Sequence, residues 1–347
     1  APISVRHKAN DLAPAAVEAL LAAARKNAPL FGEFFKLKAE ALGLEKMRRY
    51  DLYAPLMSDD RVFTFDEAAE EVLAAFDSFS PRFKELAGAV IRRGRFSARP
   101  RLGKQGGAFC SSMLPGDVPW ALMTFNGRRQ DLFTMAHELG HGIHSQLAAG
   151  HNLFHFHAVL PLAETASTFG EMLLSARLLK NAATPDARAD LLFNLLDDAY
   201  ATICRQAFFA MFEMEAHEMV EGGATVDELA EAYARNLAEQ FGGAVEISEE
   251  FRWEWTSIPH FYHTPFYVYA YSFGQLLVYS LWRRYESEGE SFVPSLTALL
   301  ARGGAASPER ILAESGFGPL DESFWQGGFD VVAHFLTELK TALQARV

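Results

Sequence analysis

The chain has 347 residues, half of them apolar, and a formal charge of −12 at pH 7. This size and composition allow a large apolar core in one domain or two small ones, and no run of Lys and Arg is long enough for a nucleic-acid footprint. Because it has two cysteines, no stretch of about 18 uncharged apolar residues and no secretory signal, we expect a cytoplasmic protein that binds neither nucleic acid nor a membrane.

Apolar residues at helical spacing dominate the first hundred residues. Residues 1–10 carry no helix cap, so we expect them to be irregular. The helices expected next are Asp11–Asn27, Leu30–Leu42, one from the Thr64–Glu67 capping box to about Phe76, and one from Ser80 and Pro81 to Gly94.

Glycines punctuate residues 95–127 and separate two short β-prone runs, Ala108–Leu114 and Trp120–Phe125. The pattern predicts a small hairpin or sheet that leads directly into the next helix. The edge of such a strand could bind an extended peptide through backbone hydrogen bonds, and the alternative is a purely structural hairpin. The residues that would contact a peptide in the first case are Gly107, Ala108 and Phe109.

The following segment, Met135–Ser145, contains the pattern His-Glu-x-x-His. Residues four apart lie on one face of a helix, so His137 and His141 can direct two imidazole nitrogens at a single zinc ion. Glu138 lies one residue further round the helix, where it can reach a water molecule on the metal without being a ligand. That position suits a general base, and the pattern therefore predicts a catalytic zinc site.

The helix that carries this motif is expected to begin with Asp131 as its N-cap and to stop by Gly150. Gly140 and Gly142 lie inside it, and each costs about 0.5–1 kcal/mol relative to Ala. This cost indicates that another backbone or a substrate passes close to the helix.

The remaining two thirds of the chain predict further helices and no repeat of fixed period. A segment dense in His and Tyr, Ser257–Tyr271, interrupts them. We therefore expect a mainly α protein with one small sheet beside the His-Glu-x-x-His helix, in a single domain that spans residues 1–347. The expected helices are Leu162–Asn181, one long helix from Thr184 and Pro185 to Glu221, one from the Thr225–Glu228 capping box to Phe241, Tyr267–Glu286, Pro294–Ala301, Pro308–Glu314 and Phe329–Gln344.

A catalytic zinc usually takes three protein ligands and a water, so a third ligand is needed. His144 shares the face of the two ligand histidines, but seven residues correspond to about 10.5 Å of helix rise, which favours a second-shell or packing role. A histidine three positions further on is absent because that residue is Leu147, which excludes a metzincin. The residues alone favour Glu164 over Glu171 without deciding between them, and the one that is not a ligand could orient a ligand histidine. Three histidines in the preceding loop are also candidates: His151, His155 and His157.

Three blocks of this sequence, MAHELGHGIHS, AETASTFGEMLL and IPHFYHTPFYVYAYSFGQ, resemble the catalytic region of oligoendopeptidase F. Oligoendopeptidase F is a branch of the thimet oligopeptidase family of zinc peptidases. The resemblance extends from near Ala15 to the C-terminus and implies a helical zincin-type fold with a deep channel. It also implies one zinc ion with Glu164 as its third ligand, and endopeptidase cleavage of short peptides. The alternatives are a carboxypeptidase or dipeptidyl carboxypeptidase on the same zinc site, and a helical peptide-binding module without catalysis.

The resemblance also assigns roles to the segment dense in His and Tyr. Tyr269 matches the tyrosine that stabilises the oxyanion of the transition state, and His260 or Tyr262 is expected to assist it. His263 is expected to contact the substrate. Members of the family usually carry a further N-terminal region that forms the opposite wall of the channel, so we expect this chain to be a truncated product or a short relative.

Overall fold

The structure is a computed structural model that describes residues 2–56 and 61–345. These residues form two compact units. The first unit comprises residues 2–56, 183–280 and 320–345, and the second unit comprises residues 61–182 and 281–319. None of the helices in the described ranges is long and apolar enough to cross a membrane.

Helices account for most of the regular structure, as expected. The α-helices are α1 (Ser4–Asn10), α2 (Pro14–Leu42), α3 (Phe65–Phe79), α4 (Pro81–Arg92), α5 (Arg129–Leu147), α6 (Leu153–Phe156), α7 (Leu160–Ala163), α8 (Thr165–Lys180), α9 (Pro185–Ala199), α10 (Arg205–Glu221), α11 (Val226–Phe241), α12 (His260–His263), α13 (Tyr269–Glu288), α14 (Val293–Ala301), α15 (Pro308–Glu314) and α16 (Glu322–Gln344). The strands are β1 (Met47–Arg48), β2 (Phe96–Ser97), β3 (Phe109–Ser111), β4 (Trp120–Leu122) and β5 (Val245–Glu246).

In the first unit, α2 packs against α9 and α16, and α10 and α11 also contact α2. Four aromatic rings lie edge to face or tilted at the centre of this packing, from Phe31, Phe35, Tyr200 and Phe241. Between α9 and α10, residues Tyr200–Cys204 form a short π-helical segment, so the predicted long helix is interrupted in its hydrogen bonding. Strands β1 and β5 form a two-stranded parallel sheet that the sequence analysis did not predict.

Two expectations for the N-terminal residues are wrong. The two predicted helices are one helix, α2, which continues through Pro29 because buried side chains on both sides of the proline keep one face packed. Residues Ser4–Asn10 are helical rather than irregular. The helix α1 is held by tertiary contacts, since His7 and Asn10 are buried and the Asn10 amide donates to the Tyr269 hydroxyl at 2.9 Å.

In the second unit, α5 is central, because it packs against α3, α4, α8 and α14. The predicted Thr64–Glu67 capping box begins α3. The predicted hairpin is also confirmed, since β3 pairs antiparallel with β4, and β2 adds to β4 in parallel to give the order β2-β4-β3. Strand β3 is therefore an edge strand in the described part of the chain, and it packs against α5.

Candidate metal centre

The helix that carries the His-Glu-x-x-His motif begins two residues earlier than predicted, at Arg129. Asp131 is not the N-cap. It is the third residue of the helix, where its carboxylate accepts the backbone N–H groups of Asn126 and Arg128 at 2.7 and 3.0 Å. Because these N–H groups belong to the turn that enters the helix, Asp131 ties the end of the β4 connection to the first turn of α5.

Helices α5 and α8 cross with almost no side chains between their backbones. A Cβ on Gly140 would lie 2.5 Å from the Ala166 carbonyl oxygen and 2.5 Å from the Ser167 Cα. A Cβ on Gly170 would lie 2.9 Å from the Phe76 ring and 3.1 Å from the Ala136 carbonyl oxygen. The prediction that a backbone passes close to the motif helix is thus confirmed at Gly140, and this approach brings the acidic residues of α8 to the histidines of α5.

Glu164 lies at the start of α8 rather than inside a helix. The predicted helix Leu162–Asn181 is in fact α7 followed by α8, and Glu164 is the residue between them, with φ −89° and ψ 1°. The Ser167 hydroxyl donates to the Glu164 carboxylate at 3.0 Å and holds its orientation. The role of Ser167 was not predicted from the sequence, because its hydroxyl bonds to the Glu164 carboxylate and does not cap the helix.

Three potential ligand atoms meet at one point. The Nε2 atoms of His137 and His141 are 3.2 Å apart, and each is 3.2 Å from the Glu164 Oε2. Ligands at about 2.0–2.1 Å from a tetrahedral zinc are separated by about 3.3–3.4 Å, so the triangle has the size that such an ion requires. A set of two histidines and one glutamate is also a known catalytic zinc donor set.

The electrostatics of this triangle favour a positive charge at its centre. His137 donates its Nδ1–H to the Glu171 carboxylate at 2.6 Å, which leaves the lone pair of Nε2 directed at the other two atoms. Burial alone would lower the pKa of His137, but the hydrogen bonds to Glu164 and Glu171 raise it to about 10. Burial would raise the pKa of Glu164, yet both histidines hold it below its usual value. Three acceptor atoms this close repel one another unless a cation or a proton lies among them.

Glu138 is buried beside the triangle and is not part of it. Its Oε2 atom has no hydrogen-bond partner among the described residues. Burial raises the pKa of Glu138, and the two histidines oppose that shift. A buried carboxylate oxygen without a donor is costly, and it is the group expected to accept a proton from a water molecule brought to the site. The residues present therefore fit a catalytic zinc ion.

A cavity of about 360 Å³ opens over these residues. Strand β3 forms part of its wall through Ala108, Phe109 and Cys110, and the Ser112 hydroxyl donates to Ser145 on α5 at 2.5 Å. Gly107 directly precedes these residues and has a φ of +81°. Burial raises the pKa of the Cys110 thiol to about 12, which argues against a reactive thiolate and for a small packed side chain.

His144 is buried in the wall of the same cavity. Burial lowers its pKa to about 4, and the ring bonds to the Ala163 carbonyl. The His144 imidazole is therefore neutral and is held by Ala163, the residue before Glu164. It is not part of the triangle, in agreement with the expectation that His144 packs beside the ligands instead of binding the metal. Of the three loop histidines, only His157 lines the cavity.

The residues of the segment dense in His and Tyr lie in the first unit. His260, Tyr262 and His263 are in or next to the short helix α12, and Tyr262 is exposed. His260 Nε2 lies 3.2 Å from the hydroxyl of Tyr271, which is also exposed. The roles expected of His260, Tyr262 and His263 in catalysis and substrate binding stay predictions.

The assignment of Tyr269 needs correction. Its side chain is 0% exposed, and its hydroxyl accepts a hydrogen bond from Asn10. Burial raises its pKa to about 12. A side chain sealed in this way is not accessible to a substrate, which does not fit the oxyanion role expected of Tyr269. Tyr262 and Tyr271 are the exposed tyrosines of this segment, and Tyr271 pairs with His260.

The helical fold and the donor set together define a class, the metallopeptidases with a His-Glu-x-x-His helix and a glutamate from the next helix. Residues 3–330 match Peptidase family M3. The chain therefore belongs to Peptidase family M3, and the resemblance to oligoendopeptidase F is confirmed by relatives of that name.

Three similar proteins illustrate the relationship. The chain is 28% identical over 347 residues to the oligoendopeptidase F homolog of Lactococcus lactis subsp. lactis (strain IL1403), covering 98% of this chain and 57% of that protein. It is 29% identical over 311 residues to oligopeptidase PepF of Bacillus subtilis (strain 168), covering 88% of this chain and 46% of that protein. The solved structure of oligoendopeptidase-F from Enterococcus faecium superimposes with a TM-score of 0.75 at 24% identity, covering 98% of this chain and 55% of that one. The chain thus spans about half the length of these relatives.

Proposed function

We propose that this protein is a zinc-dependent endopeptidase that hydrolyses oligopeptides. The observation that carries the proposal is the triangle of His137, His141 and Glu164, with the unpartnered Glu138 oxygen buried beside it. Membership of Peptidase family M3 and relatives named as oligopeptidases support the choice of peptides as substrates. We place the reaction in the cytoplasm, because both cysteines are free thiols.

Each residue of the centre has a distinct task in this proposal. His137, His141 and Glu164 would hold one zinc ion, which would supply Lewis acidity at this site. Glu138 accepts the proton of the attacking water and then delivers it to the leaving amine. Glu171 keeps His137 in the tautomer whose Nε2 faces the metal, because it accepts the Nδ1–H.

Strand β3 is proposed to bind the peptide backbone. Its outer edge has no strand partner in the described ranges, and its residues Ala108 and Phe109 line the cavity above the ligand atoms. An extended peptide can add to such an edge through backbone hydrogen bonds, which do not depend on the substrate's sequence. Gly107 adopts the positive φ that lets the chain turn into this strand.

The replacement Glu138→Gln tests the proposal most directly. We expect kcat to fall by about 10²–10⁴-fold, because the amide cannot accept a proton, while zinc content is unchanged. The measurements are cleavage of an internally quenched peptide blocked at both ends, and zinc per chain by mass spectrometry. Glu70→Gln, an exposed position on α3, is the matched control.

Three outcomes contradict the proposal. Turnover by Glu138→Gln close to that of the parent would remove Glu138 as the general base. Cleavage only of peptides with a free C-terminus would replace the endopeptidase with a carboxypeptidase on the same centre. Zinc binding without hydrolysis of any peptide in a mixed library would favour a non-catalytic binding module.

A further inference from the structure

A second cavity lies in the first unit, among residues that the proposed reaction does not use. It has a volume of about 180 Å³ and is lined by parts of α10, α11 and the segment dense in His and Tyr. Its rim contains Val220 and Tyr262, which are 58% and 54% exposed. Its wall also contains Glu213, which is only 3% exposed, so the cavity leads from the surface to a buried carboxyl group.

Only one of the two carboxyl oxygens of Glu213 has a hydrogen-bond partner among the described residues. Its Oε1 accepts the backbone N–H of Phe266 at 2.8 Å, whereas its Oε2 is buried and has no hydrogen-bond partner in the described part of the chain. Burial raises the pKa of Glu213 to about 7, against the effects of the Phe266 N–H and of Arg6. A buried carboxyl oxygen without a donor is costly, so a ligand that supplies a donor removes that cost.

A second unsatisfied group lines the same cavity and has the opposite character. The Nε1–H of Trp255 is buried and has no acceptor among the described residues. The rest of the wall near it is aromatic, since the Phe212 ring lies 6.1 Å from Trp255 and 5.8 Å from Phe261. The cavity thus has one buried acceptor and one buried donor without partners, in a largely aromatic lining that also includes His217 and Tyr262.

The chemistry of these two groups selects a class of ligand. A purely apolar molecule would leave both unsatisfied, and an ammonium group could pair only with Glu213. A hydroxyl group both donates and accepts, and it therefore matches an acceptor and a donor together. The volume is close to that of an engineered cavity of about 150 Å³ that holds benzene. We propose that this cavity binds a small phenol, with its ring against the aromatic lining and its hydroxyl at Glu213 and Trp255.

The phenol could be a free molecule or the side chain of a tyrosine in a peptide, and the test separates these sources. The protein is titrated with p-cresol, with toluene, which lacks only the hydroxyl, and with N-acetyltyrosinamide, in each case by saturation-transfer NMR and calorimetry. We expect p-cresol to bind at least 10-fold more tightly than toluene. Binding of N-acetyltyrosinamide within about 3-fold of p-cresol indicates a tyrosyl peptide, and much weaker binding indicates a free phenol.

Two variants locate the binding. Trp255→Phe keeps an aromatic ring but removes the N–H, so the preference for p-cresol over toluene should fall below about 3-fold. Ala216→Phe fills the cavity from its wall and should abolish binding of both ligands, whereas Ala238→Phe, at an exposed position on α11, should change nothing. Thermal unfolding of each variant shows that it is folded.

Three results would overturn the inference. One is equal affinity for p-cresol and toluene. Another is binding that Ala216→Phe does not affect. The third is the absence of saturable p-cresol binding up to its solubility limit, which would mean that an ordered water alone satisfies Glu213 and Trp255. None of these results bears on the metal centre, so they are distinguishable from failure of the proposed peptidase activity.

Discussion

Each of the two units contains a partly or fully buried carboxylate at the centre of a polar cluster, and the two clusters differ in kind. In the first unit, Glu254 accepts hydrogen bonds from the guanidinium groups of Arg49 and Arg205 and from the Tyr233 hydroxyl. In the second unit, Glu164 meets two imidazole nitrogens at 3.2 Å. The Glu254 cluster is satisfied by donors of its own chain, whereas the Glu164 cluster brings acceptors together.

This difference separates a structural cluster from a ligand site. Two guanidinium groups and a hydroxyl supply the donors that the Glu254 carboxylate needs, so this carboxylate requires no donor or cation from outside the chain. His137 gives its Nδ1–H to Glu171, so a neutral His137 ring presents a lone pair on Nε2 to Glu164, and the two atoms need a proton or a cation between them. Burial and charge are similar features of both clusters, and the count of donors against acceptors is what identifies the metal centre.

The largest expected effects come from neutralising the two central carboxylates in turn. Glu164→Gln should lower zinc affinity by more than 100-fold, beyond the range of an outer partner, and leave the unfolding free energy of the metal-free protein nearly unchanged. Glu254→Gln should lower that free energy by about 3 kcal/mol, because two largely buried guanidinium groups lose their counter-charge, and leave zinc affinity unchanged.

Zinc titration against a competing chelator and urea unfolding of both metal-free variants measure these effects. The distinction between a structural cluster and a ligand site would be wrong if Glu254→Gln weakened zinc binding. It would also be wrong if Glu164→Gln destabilised the metal-free protein as much as Glu254→Gln does.

A smaller loss of zinc affinity is expected when a hydrogen-bond partner of a ligand is changed instead of the ligand itself. Glu171→Gln removes the charge that supports the His137 ring but keeps an oxygen that can accept the Nδ1–H. Zinc affinity should fall by about 10-fold, at the lower end of the range for such partners. Glu71→Gln is the control, since Glu71 pairs with Arg177 at 2.7 Å in the same unit without touching a ligand. Equal zinc affinities for the two variants would show that Glu171 does not position His137.

The smallest expected effect is the loss of unfolding free energy when a helix cap is removed, and it should be the same in both units. The capping boxes Thr64–Glu67 and Thr225–Glu228 have nearly identical hydrogen bonds, with backbone N–H to carboxylate distances of 2.7 Å in each. Thr64→Ala and Thr225→Ala should each lower the unfolding free energy by about 1 kcal/mol without altering zinc affinity. Denaturant unfolding measures this. A loss above about 2 kcal/mol at only one of them would show that local capping is not equivalent in the two units.

A structural feature could be predicted from the sequence when the residues that determine it are close together in the chain. Both capping boxes and the end of α11 at Gly242 were predicted correctly, because a cap depends on residues within one turn. The passage of α2 through Pro29 was not, because the buried face that keeps the helix continuous belongs to other parts of the chain. The burial of Tyr269 could not be predicted for the same reason, since it depends on packing against α1.

By itself the sequence predicted a helix with two histidines placed to bind one metal ion. Spacing of four residues places His137 and His141 on one face, and no tertiary contact is needed for that conclusion. Residue spacing alone left Glu164 and Glu171, two acids seven residues apart, as alternatives, and the tertiary structure gives them different positions. The backbone contact at Gly140 sets one carboxylate among the histidine nitrogens and the other behind the His137 ring, because a crossing of two helices is determined by which residues let their backbones touch.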